Sequence, residues 1–439
     1  MKTKNLFFLP LIFVALFTSC KKDNVTPDST VTPAMARDSL YYIMKEFYFW
    51  YDMPESTSIN TSNKDNYADP YLLLEAMRYK TLDRWSFVAD YDLFNAEMQG
   101  TFVGHGFRIG VDDSGKARIA MIYNNSPLYA AGVRRGWIIK KINGIDPAPL
   151  LIASDENAYS NLIGPSVAGR TNIFLFVNPA DDSEVTISST KSEFTINTVL
   201  LAETIPLTSG PTGHLVFESF ITPSVDELAT AFATFKANNV KDLILDLRYN
   251  SGGYLSIAQT LASYIAGDAR QGSVFAKLLY NNKHQADNYI FPFVSTPSSL
   301  GLSRIVVITT RSTASASEAV MNGLTPFVTV VSVGDTTNGK PTGMNGWPVG
   351  QKYYFWPVTF KMVNANNLGE YYAGFFPAKV LPDDITHDFS DKEEFCFKEA
   401  IYYLENGLVS SKGMQEFKRH PQYSEKPAWM NNAFVLEKK

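Results

Sequence analysis

The second half of the chain alternates strand-type and helix-type segments, and this alternation constrains the fold more than any other feature. Apolar runs typical of buried strands occupy residues 215–217, 243–247, 305–310 and 328–333. Between them, apolar residues recur at helical spacing, in segments near residues 224–235, 254–266 and 315–324. Ser224 and Glu227 have the spacing of a capping box for the first of these helices. Strands and helices that alternate at these lengths predict an α/β domain with a mostly parallel sheet, which we place at residues 183–408.

The composition is that of a folded protein with several domains. The chain has 439 residues, of which 45% are hydrophobic and 19% charged, which argues against disorder and coiled coils. Lysine and arginine total 39 against 44 aspartates and glutamates, and no long basic run is present, so we expect no nucleic-acid partner. The two cysteines and five scattered histidines predict neither a disulfide framework nor a metal site, and we expect no cofactor.

The N-terminus has the layout of a secretory signal. Lys2 and Lys4 precede an apolar run at residues 6–17, and Thr18, Ser19 and Cys20 follow it, which predicts a signal peptide over residues 1–20. The position of Cys20 resembles the lipobox of bacterial lipoproteins. The resemblance implies an acylated Cys20 and a lipid anchor in the bacterial cell envelope, with the outer membrane as the expected membrane. The alternative is a plain signal peptide with an ordinary cysteine.

Residues 21–32 are polar and predict a tether from the membrane to the first domain. Thr32 and Pro33 then signal a helix start, and a second amphipathic stretch occupies residues 70–79. These signals predict a helical module at residues 33–97. The aromatic run at residues 47–51 is expected to pack in a core or between domains and not to form a binding site.

Residues 98–182 change to short β-type runs separated by glycine turns. They contain Ser126-Pro127-Leu128-Tyr129-Ala130-Ala131-Gly132 and, further on, Ile142-Asn143-Gly144. These strings resemble a PDZ domain, and Gly104-His105-Gly106-Phe107 resembles its carboxylate-binding loop. The resemblance implies that a peptide adds as a strand to a sheet edge, while backbone N–H groups of this loop hold its terminal carboxylate. Trp137 replaces the customary aspartate. Taken alone, residues 104–107 would fit a plain β-turn.

The candidate nucleophile is a serine at a turn from a strand into a helix. Ser315 precedes a predicted helix, whose free N–H groups lie where an oxyanion would develop. The alternative is that Ser315 is only a helix cap, because Ser315 and Glu318 also have the spacing of a capping box.

Three strings together resemble the C-terminal-processing (tail-specific) peptidases, a family of serine endopeptidases with a Ser/Lys dyad. These strings are residues 246–253 (DLRYNSGG), residues 313–318 (TASASE) and Gly339-Lys340. The resemblance implies a ClpP/crotonase-like α/β domain, with Ser315 as nucleophile and Lys340 as general base. It also implies an oxyanion hole formed by Gly252, Gly253 and Ala316. Residues 409–439 are expected to be a polar tail.

A lysine acts as a general base only if burial lowers its pKa from about 10.4. Lys340 lies between a β-type run and the aromatic cluster at residues 353–356, which can provide apolar surroundings. Two positions depart from the family pattern. Met344 replaces the glutamine that many members carry four residues after the lysine, and Pro326 replaces an acidic residue that some carry. Asn345 is therefore a candidate orienter of the lysine, and Asp246 and Arg248 are expected to be structural.

These features predict a lipid-anchored serine endopeptidase that acts on unfolded or C-terminally tailed proteins. Its partners would be proteins or peptides with free C-termini. A peptide-binding lipoprotein that lost turnover is the alternative, because a dyad without its usual orienting group could be inactive.

Overall fold

A computed structural model describes residues 31–411, 417, 419 and 421–426. The predicted signal peptide, Cys20 and most of the tether lie outside these residues. Within them, none of the helices has both the length and the apolar character needed to cross a bilayer.

The first unit is mainly helical, as predicted, but it is not independent of the rest of the chain. The Thr32 hydroxyl accepts from the Met35 N–H and so caps the first helix. The aromatic side chains of Tyr48 and Trp50 are buried in one core with Phe355 and Trp356 of the third unit, which confirms their expected packing role. The elements are α1 (Pro33–Phe47), α2 (Pro54–Ser58), α3 (Pro70–Met77), β1 (Phe87–Asp90) and α4 (Tyr91–Met98).

The second unit is a six-stranded antiparallel sheet with three short helices and a separate strand pair. Its elements are β2 (Thr101–Gly104), β3 (Phe107–Val111), β4 (Ala117–Ile122), α5 (Pro127–Ala130), β5 (Ile138–Ile142), α6 (Ala148–Ile152), α7 (Glu156–Ile163), β6 (Thr171–Val177), β7 (Glu184–Thr190) and β8 (Ser192–Thr195). Strands β6 and β7 pair along their whole length. The predicted boundary after residue 182 therefore falls inside a hairpin, and the unit continues to residue 195, where β8 pairs with β2.

The third unit contributes strands to three sheets. Its elements are β9 (Val199–Leu207), β10 (Gly210–Phe217), α8 (Ser224–Ala237), β11 (Asp242–Asp246), α9 (Leu255–Ala266), β12 (Val274–Tyr280), β13 (Tyr289–Pro292), β14 (Arg304–Thr309), α10 (Ala316–Leu324), β15 (Thr329–Gly334), β16 (Thr342–Met344), β17 (Trp347–Val349), β18 (Tyr353–Trp356), β19 (Val358–Val363), β20 (Lys379–Val380) and α11 (Phe395–Asn406).

The larger sheet has the strand order β20-β15-β14-β11-β10-β9. Its strands pair in parallel except for the edge strand β9, which agrees with the predicted α/β sheet. Helices α8, α9 and α10 pack in one core on one face, and α11 packs in another on the opposite face. The smaller sheet has the order β13-β12-β19-β16, and β1 joins β18 and β17 in a three-stranded sheet.

The predicted capping box at Ser224 is wrong. The Ser224 hydroxyl donates to the Ser219 carbonyl, and the Glu227 carboxylate accepts from the N–H groups of Thr198 and Val199 instead of the helix start. Glu227 therefore anchors the beginning of β9 against α8.

The described residues of the predicted tail return to the second unit. Residues Tyr423–Ser424 form β21, which pairs antiparallel with β3 at the edge of the six-stranded sheet. This part of the chain is therefore a structural strand and not a polar tail.

Candidate active site

Three loops meet where parallel strands of the larger sheet end. Residues 247–253 follow β11, residues 310–315 follow β14, and residues 335–340 follow β15. Hydrogen bonds tie the loops together: the Ala314 N–H donates to the Asn250 carbonyl, and the Asn338 N–H donates to the Thr313 carbonyl. Carboxyl ends of adjacent parallel strands are where α/β sheets place their sites. The candidate residues Ser315 and Lys340 are thus brought to one edge of the sheet.

Ser315 has an unusual backbone and an unused side chain. Its φ of 58° and ψ of −108° place a residue other than glycine in a costly conformation, worth about 1–3 kcal/mol. The side chain is buried, and within residues 31–411 its Oγ has no hydrogen-bond partner. Ser315 is the N-cap of α10, and Ser315 and Glu318 have the predicted arrangement of a capping box, in which the Glu318 carboxylate accepts from the Ser315 N–H; the Ser315 hydroxyl itself makes no cap hydrogen bond to the helix. Ser315 is therefore held in a strained turn with its hydroxyl available for chemistry.

Glu318 connects the serine loop to the lysine loop. Its Oε2 accepts from the backbone N–H groups of Ser315 (2.9 Å) and Lys340 (2.8 Å). Its Oε1 accepts from the Gly339 N–H (2.6 Å) and the Thr337 hydroxyl (2.5 Å). Burial raises the pKa of Glu318, whereas these four donors oppose the shift. Because all four partners donate, the arrangement suits an ionised carboxylate. Glu318 therefore hydrogen-bonds to both the serine loop and the lysine loop. The sequence predicted only its role in the helix cap.

Lys340 is completely buried, and this burial lowers the pKa of its amine to about 7. The negative charges of Asp83 and Glu318 act in the opposite direction but do not cancel the effect of burial. Its Nζ lies 3.8 Å from Met344 Sδ and 5.9 Å from the centre of the Trp85 ring. At neutral pH, a large fraction of Lys340 is therefore the neutral amine that a general base requires.

The first unit supplies part of the cover over Lys340. Trp85 is 2% exposed, and its indole N–H donates to Asn338 Oδ1, two residues before the lysine. The Asp83 carboxylate accepts from the Trp85 N–H and from the Tyr48 hydroxyl, which fixes this turn. From the sequence, we expected the apolar surroundings to come from the β-type run at residues 328–333 and the aromatic cluster at residues 353–356. No local signal links Trp85 to a lysine 255 positions later.

The glycines after β11 approach the nucleophile closely. Gly252 has a φ of 107°, and a Cβ on it would lie 2.9 Å from Ser315 Cβ. The Gly252 N–H donates to Asn250 Oδ1, so its predicted role as an oxyanion donor is not supported. Gly253 has a φ of 138°, and a Cβ there would lie 2.1 Å from the Phe220 carbonyl oxygen. Gly252 thus acts through its shape, and Gly253 and Ala316 are the candidate oxyanion donors.

Asn345, the candidate orienter, faces β19. Its Oδ1 accepts from the Thr359 hydroxyl at 2.8 Å. The side chain of Met344, which is buried, occupies the position beside the amine. A thioether is only a weak acceptor, so it holds the amine by packing more than by hydrogen bonding.

A buried ion network supports the loop after β11. Arg248 donates to Asp246, Asp383 and Glu394, and Arg135 of the second unit also donates to Asp383. Burial opposes the charged form of Asp383, but Arg135 and Arg248 outweigh it and hold the pKa of this carboxyl well below its usual range. Asp246 and Arg248 therefore have the structural role that we expected.

The candidate carboxylate loop of the second unit is occupied by the chain itself. The N–H groups of His105 and Gly106 donate to Glu425 Oε2 at 2.7 and 3.3 Å. The His105 ring is buried and bonds to Ser189 and Asn172, and Phe107 lies in the core of the unit. Gly104 pairs with Ser192, and a Cβ on it would meet Glu425 Oε2 at 2.6 Å.

Comparisons with known proteins match the part of the chain that contains these residues. Residues 211–367, which include Ser315, Glu318 and Lys340, match the family described as Peptidase family S41. The carboxy-terminal processing protease CtpB of Bacillus subtilis (strain 168) is 24% identical over 258 residues. That match covers 58% of this chain and 50% of CtpB, so the chain spans about half the length of this relative.

Two solved structures share the overall fold. A putative S41 protease from Bacteroides fragilis superposes with a TM-score of 0.67 at 23% identity, over 85% of this chain and 98% of that protein. A photosystem II D1 C-terminal processing protease gives a TM-score of 0.51 at 16% identity, over 84% and 97%.

These matches show that the chain is similar to serine-type peptidases. More specifically, residues 211–367 match peptidase family S41, and the match to CtpB confirms the predicted resemblance to the C-terminal-processing peptidases.

Proposed function

We propose that this protein is a serine endopeptidase that cleaves unfolded or C-terminally tailed proteins through a Ser315/Lys340 dyad. The observation that carries the proposal is the pairing of an unbonded hydroxyl on a strained turn with a completely buried lysine whose pKa is near neutrality. Glu318 links the backbones of the two residues. Buried lysines with lowered pKa values are typical of general bases.

The proposed reaction begins when the neutral amine of Lys340 takes the proton of the Ser315 hydroxyl. Ser315 Oγ then attacks the scissile carbonyl carbon, and the N–H groups of Gly253 and Ala316 stabilise the oxyanion. The Lys340 ammonium donates its proton to the leaving amine as the peptide bond breaks. Water then attacks the acyl-enzyme, with Lys340 again as base, and releases the new C-terminus.

The Ser315 hydroxyl and the Lys340 amine are not hydrogen-bonded in this structure, since Ser315 Oγ has no partner among the described residues. Catalytic hydrogen bonds often form only in the substrate complex. In the proposed mechanism, this hydrogen bond forms when a substrate binds.

The second unit has a recognition role in this proposal. We infer that it is a PDZ domain, because a strand adds antiparallel to β3 and a carboxylate lies on the N–H groups of His105 and Gly106. A substrate C-terminus would bind in the same mode. Anchoring to the bacterial cell envelope through an acylated Cys20 belongs to the proposal as well, although Cys20 lies outside the described residues.

A catalytically inactive peptide-binding lipoprotein is the second candidate. Met344 favours it, because a thioether beside Lys340 orients the amine less strictly than an amide would.

Labelling with a fluorophosphonate separates these candidates. Ser315 Oγ should form a bond to phosphorus while fluoride leaves, and peptide mass spectrometry should place the adduct on Ser315. Ser317→Ala is the matched control, because this neighbouring hydroxyl donates to the Asn250 carbonyl and has no catalytic role. We expect Ser317→Ala to be labelled and Ser315→Ala not to be. A folded protein that stays unlabelled would favour the binding lipoprotein.

A further inference from the structure

Residues 421–426 of the chain contact both β3 and α7. Residues Tyr423 and Ser424 pair antiparallel with Ile109 and Arg108 of β3. The Tyr423 ring stacks on Tyr159 of α7, with 5.4 Å between the ring centres. The segment therefore uses both the backbone edge and a side-chain pocket, as a bound peptide does.

Glu425 ends this contact with a carboxylate in a built pocket. Glu425 Oε2 accepts from the His105 and Gly106 N–H groups, and Oε1 lies 2.6 Å from Lys191 Nζ. The side chains of Lys191 and Glu425 are 0% and 2% exposed. The pair is thus removed from water and closed on all sides.

Lys191 explains why the pocket needs an anion. Its Nζ also donates to the carbonyls of Gly164 (2.8 Å) and Pro165 (3.1 Å), which carry no net charge. A buried ammonium without a counter-charge is strongly destabilised. When Glu425 leaves, another carboxylate must take its place or water must enter the pocket.

We propose that the Lys191 pocket is a carboxylate-binding site with two exclusive occupants: Glu425 of this chain and the terminal carboxylate of a protein substrate. Residues 421–426 therefore compete with the substrate for this pocket and are called the internal competitor below. The inference rests on the proposed function for the identity of the external ligand. By analogy with Tyr423, which lies two residues before the carboxylate, the ligand is a chain end with an aromatic residue near its terminal carboxylate.

The internal competitor also contacts the third unit. The Gln422 amide donates to Asp383 Oδ2 at 2.8 Å, and Lys426 Nζ lies 2.8 Å from Glu218. Because the segment is covalently attached, its effective concentration is on the order of millimolar. Only a substrate end with matching contacts can compete, which restricts entry to the Lys191 pocket.

Fluorescence anisotropy tests this exchange without any cleavage. The probe is a labelled peptide ending in Tyr-Ser-Val with a free carboxylate, and its C-terminal amide is the control. All proteins carry Ser315→Ala. In this background we expect Glu425→Gln, and a chain ending at residue 420, to bind the acid at least about 10-fold more tightly than the parent does. Glu193→Gln removes an exposed carboxylate on β8 and should match the parent.

The Glu425→Gln protein should bind the amide peptide at least about 10-fold more weakly than the acid peptide. Adding Lys191→Met to this protein should make the two affinities equal. If the parent and the chain ending at residue 420 bind the acid with equal affinity, residues 421–426 do not compete with the peptide. Two results would overturn the assignment of the Lys191 pocket as a carboxylate site. One is that the chain ending at residue 420 binds the acid more tightly than the parent but Glu425→Gln does not. The other is that the Glu425→Gln protein binds the acid and the amide equally well. If the Ser315→Ala proteins show this exchange and the protein that retains Ser315 cleaves nothing, this inference is retained and the proposed function is lost. If the protein that retains Ser315 cleaves substrate and the affinities are unchanged, the proposed function is retained and this inference is lost.

Discussion

Replacing Lys340 by methionine is expected to lower kcat/KM for an unfolded protein substrate by about 10³-fold or more, because it removes the amine that takes the Ser315 proton in the proposed reaction. Methionine fills a similar volume in the completely buried site, so the fold should be kept. The measurement is the initial rate of cleavage at pH 8, with circular dichroism to confirm folding.

The pKa of Lys340 sets the pH dependence of this reaction. The amine is the active form, so the rate of the parent protein should rise with pH and reach half of its maximum near pH 7. Burial lowers the pKa of Lys340 from 10.5 in the unfolded chain to about 7 in the folded protein. The unfolded chain therefore binds the proton more tightly, and the free energy of unfolding decreases as the pH falls from 10.5 to about 7. Below about pH 7 the whole destabilisation is present. Lys340→Met should therefore melt at a higher temperature than the parent at pH 7. Full activity in Lys340→Met, or a rate independent of pH from 6 to 8, would contradict this assignment.

Replacing Glu318 by glutamine is expected to lower kcat/KM by about 10²-fold, because the amide cannot accept from all four donors and the two loops lose their common anchor. The loss of the charge should also move the pH midpoint below 7, since Glu318 raises the pKa of Lys340. The pH profile distinguishes this positioning role from a general loss of stability.

Glu399→Gln is the matched control for Glu318. Glu399 is also a buried carboxylate, and it accepts from the Ser410 N–H and hydroxyl, far along the chain from the dyad. We expect its substitution to leave the pH midpoint unchanged. If Glu318→Gln has the midpoint of the parent, Glu318 is only structural.

The sequence predicted those features that depend on local signals. Ser315 and Lys340 each lie in a loop directly after a strand, so the order of strands places them together once the parallel sheet is recognised. Glu318 was visible only as a helix cap, because its partners at residues 337–340 lie on a different strand end.

Contacts between distant parts of the chain were not predictable. Trp85 covers Lys340 across 255 positions, and Glu425 reaches His105 across 320. Neither contact has a periodic or motif signature, since both depend on how complete units pack. The buried Lys191 likewise appears in the sequence as an ordinary lysine.

We propose that Ser315 is the nucleophile of a working peptidase. Mass spectrometry tests this role, with an unstructured protein that has a free apolar C-terminus incubated with the parent protein and with Ser315→Ala. We expect fragments that accumulate with the parent and are absent with Ser315→Ala. Equal fragments from both proteins would contradict it, and so would no fragments from a parent protein that still binds tail peptides.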